Sequence, residues 1–409
     1  MQFITNLNKG ILGKSDPVKL WQYITSYIPD EVLLKEDLKI LSPACGHATE
    51  VDVLVKRMLN LGRTTSEIKD SIYLVDKYSV FTKDAVRKGY TNVIQADFLN
   101  WNTDMKFDVI IGNPPYQSTD DTGERKSKST NLWSRFTKKS FDMVKDGGIV
   151  AMVTPSSWAS NTVDLLQGKI KLFKDIFVKN NPIAINTHTV ADHFPGIGST
   201  FSYFVIEKSD NKGSTTLTDV FGNEIIQDLR GFGNLPKVIS VESLSIDRKF
   251  SVLMTNNETC SGQLQNKDCL YSSEESSDYV WKAYHTPSVA DAGETWFTNV
   301  KHPNFDKEKI IISISGYFRP VADAGTIGYT DMCLAYILKE GELLSAAESV
   351  FGSKLYKFYL ENNKWSGFNP KEIIRSFPML DFTRDWTDVE IYKHFGLTQE
   401  EIDYVEANT

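Results

Sequence analysis

The tetrapeptide Asn113-Pro114-Pro115-Tyr116 holds the residue types in this chain best suited to chemistry. It follows the apolar run Phe107-Asp108-Val109-Ile110-Ile111-Gly112, so a rigid polar corner stands where a buried strand ends. Two prolines fix φ and remove two backbone donors, which leaves the Pro114 carbonyl free to point into a pocket. The side-chain oxygen of Asn113 is a second acceptor. Together the two oxygens can take both hydrogens of a planar amine, while the Tyr116 ring offers a face on which a base can stack. That set suits methylation of an amino group. Asn-Pro-Pro is also an ordinary turn signal, and position is what favours the chemical reading.

Three elements upstream supply that position. The strand Leu38-Lys39-Ile40-Leu41 runs into Ser42-Pro43-Ala44-Cys45-Gly46-His47, and apolar residues then recur at helical spacing (Val51, Leu54, Val55, Met58, Leu59), which reads as strand, tight turn and helix. A second strand, Ser71 to Val75, closes on Asp76, and a third, Asn92 to Ala96, closes on Asp97. A carboxylate at a strand end accepts two hydroxyl hydrogens, and N–H groups at a helix start bind a carboxylate. The plain alternative for either aspartate is a solvated strand end.

The order Pro-Ala-Cys-Gly, acidic strand end, Ala-Asp-Phe, Asn-Pro-Pro-Tyr resembles the S-adenosylmethionine-dependent DNA adenine-N6 methyltransferases of the TaqI-type group, over about residues 10–208. The resemblance implies that Pro43, Ala44, Cys45, Gly46 and His47 cradle the methionine part of S-adenosylmethionine. It implies that Asp76 holds the ribose hydroxyls, that Asp97 accepts from the cofactor adenine and that Phe98 lies against its ring. Asn113, Pro114, Pro115 and Tyr116 become the catalytic corner. Two positions depart from the family pattern: Ser42 stands where Asp or Glu is usual before Pro-Ala-Cys, and Ala48 where a glycine is usual. A β-carbon at Ala48 either crowds the cofactor or shifts the loop.

Beyond the corner, Asn131 to Val144 reads as a helix, Asp146-Gly147-Gly148 as a turn, and Ile149 to Val153 as a strand. Leu165, Leu166, Ile170, Phe173, Ile176 and Phe177 suggest another helix. Strands at about 183–190 and 200–207 complete an α/β, Rossmann-like methyltransferase sheet of seven strands, mostly parallel, with the last reversed as the resemblance implies. Between those strands lies Phe194, which the resemblance pairs with Tyr116 across a flipped target base; the alternative is a hydrophobic plug in a glycine-rich turn. Gln117 to Thr130 is polar, without apolar periodicity, and carries Arg125, Lys126 and Lys128, suited to a DNA backbone or to solvent.

Composition agrees with a globular protein of two or three domains: 409 residues, 41% hydrophobic and 24% charged. No apolar run reaches bilayer length and the start lacks a signal-peptide core, so a cytoplasmic protein with no membrane partner is expected. The four cysteines, Cys45, Cys260, Cys269 and Cys333, lack paired ligand spacing, which argues for thiols and against a metal site. Net charge is −8, yet residues 1–200 balance at +3 and residues 201–409 at −11. DNA binding therefore has to rely on local patches.

A polar turn at Ser209 to Ser214 marks an expected boundary, with a catalytic domain at 1–208 and a mixed α+β target-recognition domain at 216–409. In the latter, Tyr279 to His285 and Lys309 to Ser315 read as strands, Glu342 to Asn362 as one amphipathic helix, and Thr398 to Asn408 as a short surface helix with a capping box. Lys364, Trp365, Lys371 and Arg375 are its candidate DNA contacts. The expected activity is site-specific adenine-N6 methylation of double-stranded DNA by a free-standing enzyme, with a restriction endonuclease as a separate partner. The alternatives are a catalytically silent DNA-binding relative and a protein-glutamine or RNA amino-methyltransferase.

Overall fold

The computed structural model describes residues 17–116, 131–160, 171–193, 200–254, 260–262, 270–285, 295–365 and 367–409. They fall into two compact units, Met1–Asn234 and Leu235–Thr409.

The first unit is built on one sheet of nine strands: β1 (Ile40–Pro43), β2 (Ile72–Asp76), β3 (Asn92–Gln95), β4 (Phe107–Gly112), β5 (Val144–Pro155), β6 (Asn181–Asn186), β7 (Phe201–Glu207), β8 (Thr215–Thr218) and β9 (Glu224–Gln227). Their spatial order is β3-β2-β1-β4-β5-β7-β6-β8-β9. The strands β3, β2, β1, β4 and β5 run parallel, and β7 is antiparallel to both its neighbours. Helices cover the sheet, so β1 and β4 are buried along their whole length, as their largely apolar runs require. Asp108 interrupts the β4 run and is itself buried. It stays there because Lys35 Nζ (3.0 Å), Lys145 Nζ (2.8 Å) and the Lys39 amide (3.0 Å) all donate to it.

The sheet has nine strands where seven are expected: β1 to β7 correspond to the seven read from the sequence, with β7 reversed, and two more follow. β8 pairs parallel with β6, and β9 pairs antiparallel with β8. The unit consequently runs through Asn234, past the polar turn near 209–214 that reads as a linker. That turn is tied down: Asn211 donates to the Val178 carbonyl at 2.7 Å, the Lys212 amide to Asn181 at 3.1 Å, and Lys212 pairs with Glu207 at 2.8 Å. The helix Leu132–Met143 forms as expected. The strand after it starts earlier than expected, at Val144, and runs through Asp146-Gly147-Gly148 with a register shift. A β-carbon on Gly148 would sit 2.8 Å from the Asp108 carbonyl oxygen, so only glycine lets β5 approach there. Of the helix expected around 165–177, residues 161–170 lie outside the described residues, and Leu172–Phe177 forms one short helical segment with four buried apolar side chains.

The second unit is mixed α+β. One four-stranded sheet joins Cys260–Gly262, Cys333–Ile337, Glu308–Ser313 and Val321–Ala324; another joins Tyr271–Ser272, Thr295–Thr298, Trp281–Tyr284 and Gly328–Tyr329. Its core stacks Phe250, on the helix Val241–Val252, against Tyr359 at 3.9 Å and Phe395 at 5.0 Å. The single helix expected over 342–362 is two, Leu344–Phe351 and Lys354–Asn362, because Gly352 ends the first and Ser353 caps the second through the Tyr356 amide. The last helix, Gln399–Ala407, has the expected capping box between Thr398 and Glu401. It is more than a surface appendage: Glu401 is buried, and accepts from Ser245 Oγ and Lys249 Nζ at 2.6 Å each.

Lys309 and Asp323 form an ion pair with side-chain exposures of 0% and 3%, and Lys309 Nζ also donates to the carbonyls of Phe305 and Lys307. Removing one partner leaves a buried charge unmatched, whereas removing both does not. Asp323→Ala is therefore expected to lower the unfolding free energy by about 3–5 kcal/mol. Lys309→Met with Asp323→Leu should recover most of that loss in urea titrations.

Candidate active site

Strand β1 ends at Pro43, and the next five residues turn the chain into the helix Thr49–Asn60. The turn is tight enough that Ala44, Gly46 and Ala48 all take positive φ, at 60°, 51° and 56°. For the two alanines this conformation costs about 1–2 kcal/mol each. The loop is held by its neighbour strand: the Cys45 amide donates to the Val75 carbonyl at 3.0 Å, and the Gly46 amide to Asp76 Oδ2 at 3.0 Å. The Ala48 methyl does not stand in the loop's opening. It is buried in the core cluster with Val51, Leu54 and Met58, so the departure at 48 is absorbed by backbone conformation.

Asp76 is buried at the end of β2, with its other oxygen accepting from the Tyr78 amide at 2.8 Å. Burial raises its pKa, and the amides of Tyr78 and Gly46 offset part of the rise. His47, half exposed, sets its ring edge-on to Phe81 at 5.0 Å and its Nδ1 3.2 Å from Asp84. Asp97 follows β3 and accepts from the Leu99 amide at 2.9 Å. Phe98 packs into the core, its ring 5.0 Å from Phe136 with Lys139 Nζ 5.1 Å over it. The same Lys139 donates to the Phe98 carbonyl at 2.7 Å, which ties the β3 end to the helix Leu132–Met143.

The corner lies at the end of β4, beside the loop. A β-carbon on Gly112 would be 3.4 Å from the Pro43 carbonyl oxygen, so the last residue of β4 abuts the last residue of β1. Asn113 and Pro115 are partly exposed and Pro114 is buried. The Tyr116 hydroxyl donates to Asn113 Oδ1 at 2.5 Å, and its ring lies 5.3 Å from Phe201 of β7. Burial pushes the Tyr116 hydroxyl pKa up, so it acts as a neutral donor. The amide oxygen expected to receive an amine hydrogen is thus already oriented by a hydrogen bond.

Glu50 is the residue that sequence reasoning passes over. It sits one residue ahead of the apolar series at 51, 54 and 58, and four before Leu54, so its helix face is readable as a buried one. It is 6% exposed and accepts from Ser42 Oγ at 2.7 Å. Burial pushes its pKa up to about 7, against the lowering effect of that bond. Ser42 thus pairs with a carboxylate at the position where a carboxylate is usual.

The structure brings together Pro43 to His47, Asp76 and Asn113 to Tyr116, with Asp97 and Phe98 on the next strand end. Phe194 and the basic residues Arg125, Lys126 and Lys128 lie outside the described residues. The other four candidates are in the second unit. Lys364 Nζ donates to the Gly316 carbonyl at 2.9 Å, and Trp365 Nε1 to the Leu235 carbonyl at 2.9 Å, so both have a structural task; Lys371 and Arg375 are partly exposed on the short helix Lys371–Arg375. Among the described residues no cluster of three His, Cys, Asp or Glu side chains could hold a metal ion, and no helix is long and apolar enough to cross a membrane.

Known proteins resemble this chain in both sequence and fold. The Type II methyltransferase M.CvrRI of Paramecium bursaria Chlorella virus XZ-6E is 26% identical over 250 residues, which cover 56% of this chain and 60% of the relative. A protein of Mycoplasma pneumoniae described as an uncharacterized adenine-specific methylase is 35% identical over 95 residues, 20% of this chain and 22% of its own. The chain thus spans less than two thirds of the length of either relative. A nuclease-deletion mutant of the Type ISP restriction-modification enzyme LlaGI, solved in complex with a DNA substrate mimic, shares the fold at a TM-score of 0.51 and 11% identity, over 87% of this chain and 45% of that one. Residues 48–181 match the family model of the Eco57I restriction-modification methylase. That stretch, about a third of the chain, carries Asp76, Asp97 and the Asn113–Tyr116 corner.

Proposed function

We propose that this chain is a site-specific DNA methyltransferase that moves a methyl group from S-adenosylmethionine to the N6 amino group of adenine. The observation that carries the reading is the contact of Gly112 with Pro43, which starts the amine-binding corner beside the loop closed by Asp76. The residues present fit the cofactor. Its carboxylate suits the start of the helix Thr49–Asn60, where no side chain caps the first N–H groups, and its ribose hydroxyls suit Asp76. Bound there, S-adenosylmethionine would supply an electrophilic methyl group.

The chain's own part is positioning. Asn113 Oδ1 and the Pro114 carbonyl hold the two amine hydrogens and stabilise the positive charge that develops on the nitrogen, with Pro115 keeping the corner rigid. No strongly basic side chain is needed. An adenine reaches such a corner only out of the duplex, at a cost of a few kcal/mol. Tyr116 is the stacking face, Phe194 its opposite, and Arg125, Lys126 and Lys128 contacts to the backbone. Residues 216–409 take the role of target reader, less the β8–β9 hairpin that completes the first sheet. A separate restriction endonuclease is the expected functional partner.

Transfer of tritium from labelled cofactor to mixed-sequence DNA, followed by nucleoside analysis, tests the reading: N6-methyladenine is expected, and label in protein or RNA alone would refute it. Asn113→Ala should lower turnover roughly 10²- to 10³-fold, as for loss of one transition-state contact, with cofactor affinity within a few-fold of wild type. Near-normal turnover in that variant would remove the corner from the mechanism. Tyr116→Ala should weaken binding to target DNA by about 1–3 kcal/mol while leaving unrelated DNA unaffected. The accompanying check is 2-aminopurine at the target position, whose emission should rise with wild type.

A further inference from the structure

We propose that Glu50 is the carboxylate that receives the α-ammonium group of S-adenosylmethionine, an assignment that rests on the cofactor reading above. Glu50 is 6% exposed, and among the described residues no Lys, Arg or His nitrogen lies within 4.0 Å of its carboxylate. A carboxylate taken out of water without a cation is costly, and it either takes up a proton or is met by a cation. The nearby charges are otherwise engaged. Lys88 Nζ is 2.6 Å from Asp52 and 2.6 Å from the His47 carbonyl, and the Tyr90 hydroxyl donates to Asp52 at 2.8 Å. The charges of Asp76 and Glu50 both raise the Cys45 thiol pKa, after burial, which places the two carboxylates around one loop.

Chemistry then divides the ligand between them. Asp76, tied to the Gly46 and Tyr78 amides, is on the cofactor reading the anchor of the hydroxyl-bearing end. A cofactor carboxylate is repelled by Glu50 and suits the start of the helix, whereas the ammonium is a cation that needs a buried anion. Glu50 is oriented for this by Ser42 Oγ at 2.7 Å. The serine at 42 therefore preserves the negative charge of its corner of the site by holding a carboxylate from the first turn of the next helix. Burial, with the charge of Asp52 adding to it, pushes the Glu50 pKa up to about 7, so an arriving ammonium is expected to drive off a proton at pH 6.

Calorimetric titration of the full chain with S-adenosylhomocysteine, and with its analogue lacking the α-amino group, tests the assignment. Glu50→Gln, which still accepts from Ser42, is expected to weaken binding of the amino ligand about 10- to 100-fold at pH 8. It should not weaken binding of the deaminated analogue, which offers Glu50 no ammonium and whose carboxylate is no longer repelled. Ser42→Asp added to Glu50→Gln should restore part of the loss. Wild type alone gives an independent readout: titration at pH 6 in two buffers of different ionisation enthalpy should show proton release with the amino ligand and none with the analogue. Equal losses on both ligands, or no release in wild type, would make Glu50 a purely structural residue. No heat from wild type with either ligand would overturn the cofactor reading itself, a result distinct from both.

Discussion

Parallel pairing of β1 with β2 on one side and β4 on the other is the constraint on which the site depends. The register sets Ser42 beside Leu74 and Pro43 beside Val75, while Ile40 and Leu41 face Val109 and Ile110. All three strands consequently end at one rim, where parallel strands leave their next residues outside the ladder. β1 releases the loop, β2 releases Asp76 and β4 releases the Asn113 corner. The cost of that arrangement is borne inside the sheet. Asp108 is held at the base of β4 by two lysines, and Gly148 admits β5 against it, so the strand that carries the corner is pinned at the end remote from it.

Motif order makes most of this rim legible in the amino-acid sequence. Strand ends that close on acidic residues, a helix starting soon after Gly46, and an apolar strand stopping at Asn-Pro-Pro leave few ways to fold, and β1 to β4 form within two residues of their expected limits, while β5 starts five residues early. Features decided by tertiary packing are not readable in the same way. The turn at 209–214 has linker composition, and only its bonds to Val178 and Asn181 reveal that the chain returns to the sheet. The amphipathic pattern over 342–362 keeps its phase across Gly352, so periodicity cannot announce the break. Glu401 reads as part of an acidic exposed face because its partners, Ser245 and Lys249, lie some 150 residues away in sequence.

Ser42 and Ala48 show how a site can depart from its pattern and keep its physics. Each change, taken singly on the sequence, weakens the loop: one removes a charge and the other adds a methyl. In the folded chain the methyl turns into the core and the backbone takes the left-handed conformation a glycine would have taken. The hydroxyl at 42 meets a carboxylate from the next helix. Charge and loop path are kept while the residues that supply them change, which is why reading residue by residue against a pattern overstates both departures.

The corner itself follows a related economy. A planar amide oxygen kept for a ligand would bind whatever donor came first, and left unpaired while partly buried it would cost about 1–3 kcal/mol. The Tyr116 hydroxyl meets both demands by donating to Asn113 Oδ1 and fixing the plane of the amide. The two prolines before it contribute no backbone donors that could compete. An amide oxygen has two lone pairs, so on the proposed reading an amine hydrogen is accepted at the second while the hydroxyl keeps the first. The Tyr116 ring rests 5.3 Å from Phe201 of β7, so the hydroxyl that sets the amide plane is itself held by packing. On the proposed reading, the base therefore meets an acceptor whose plane is set before it arrives, and positioning is supplied by the fold and not by the ligand.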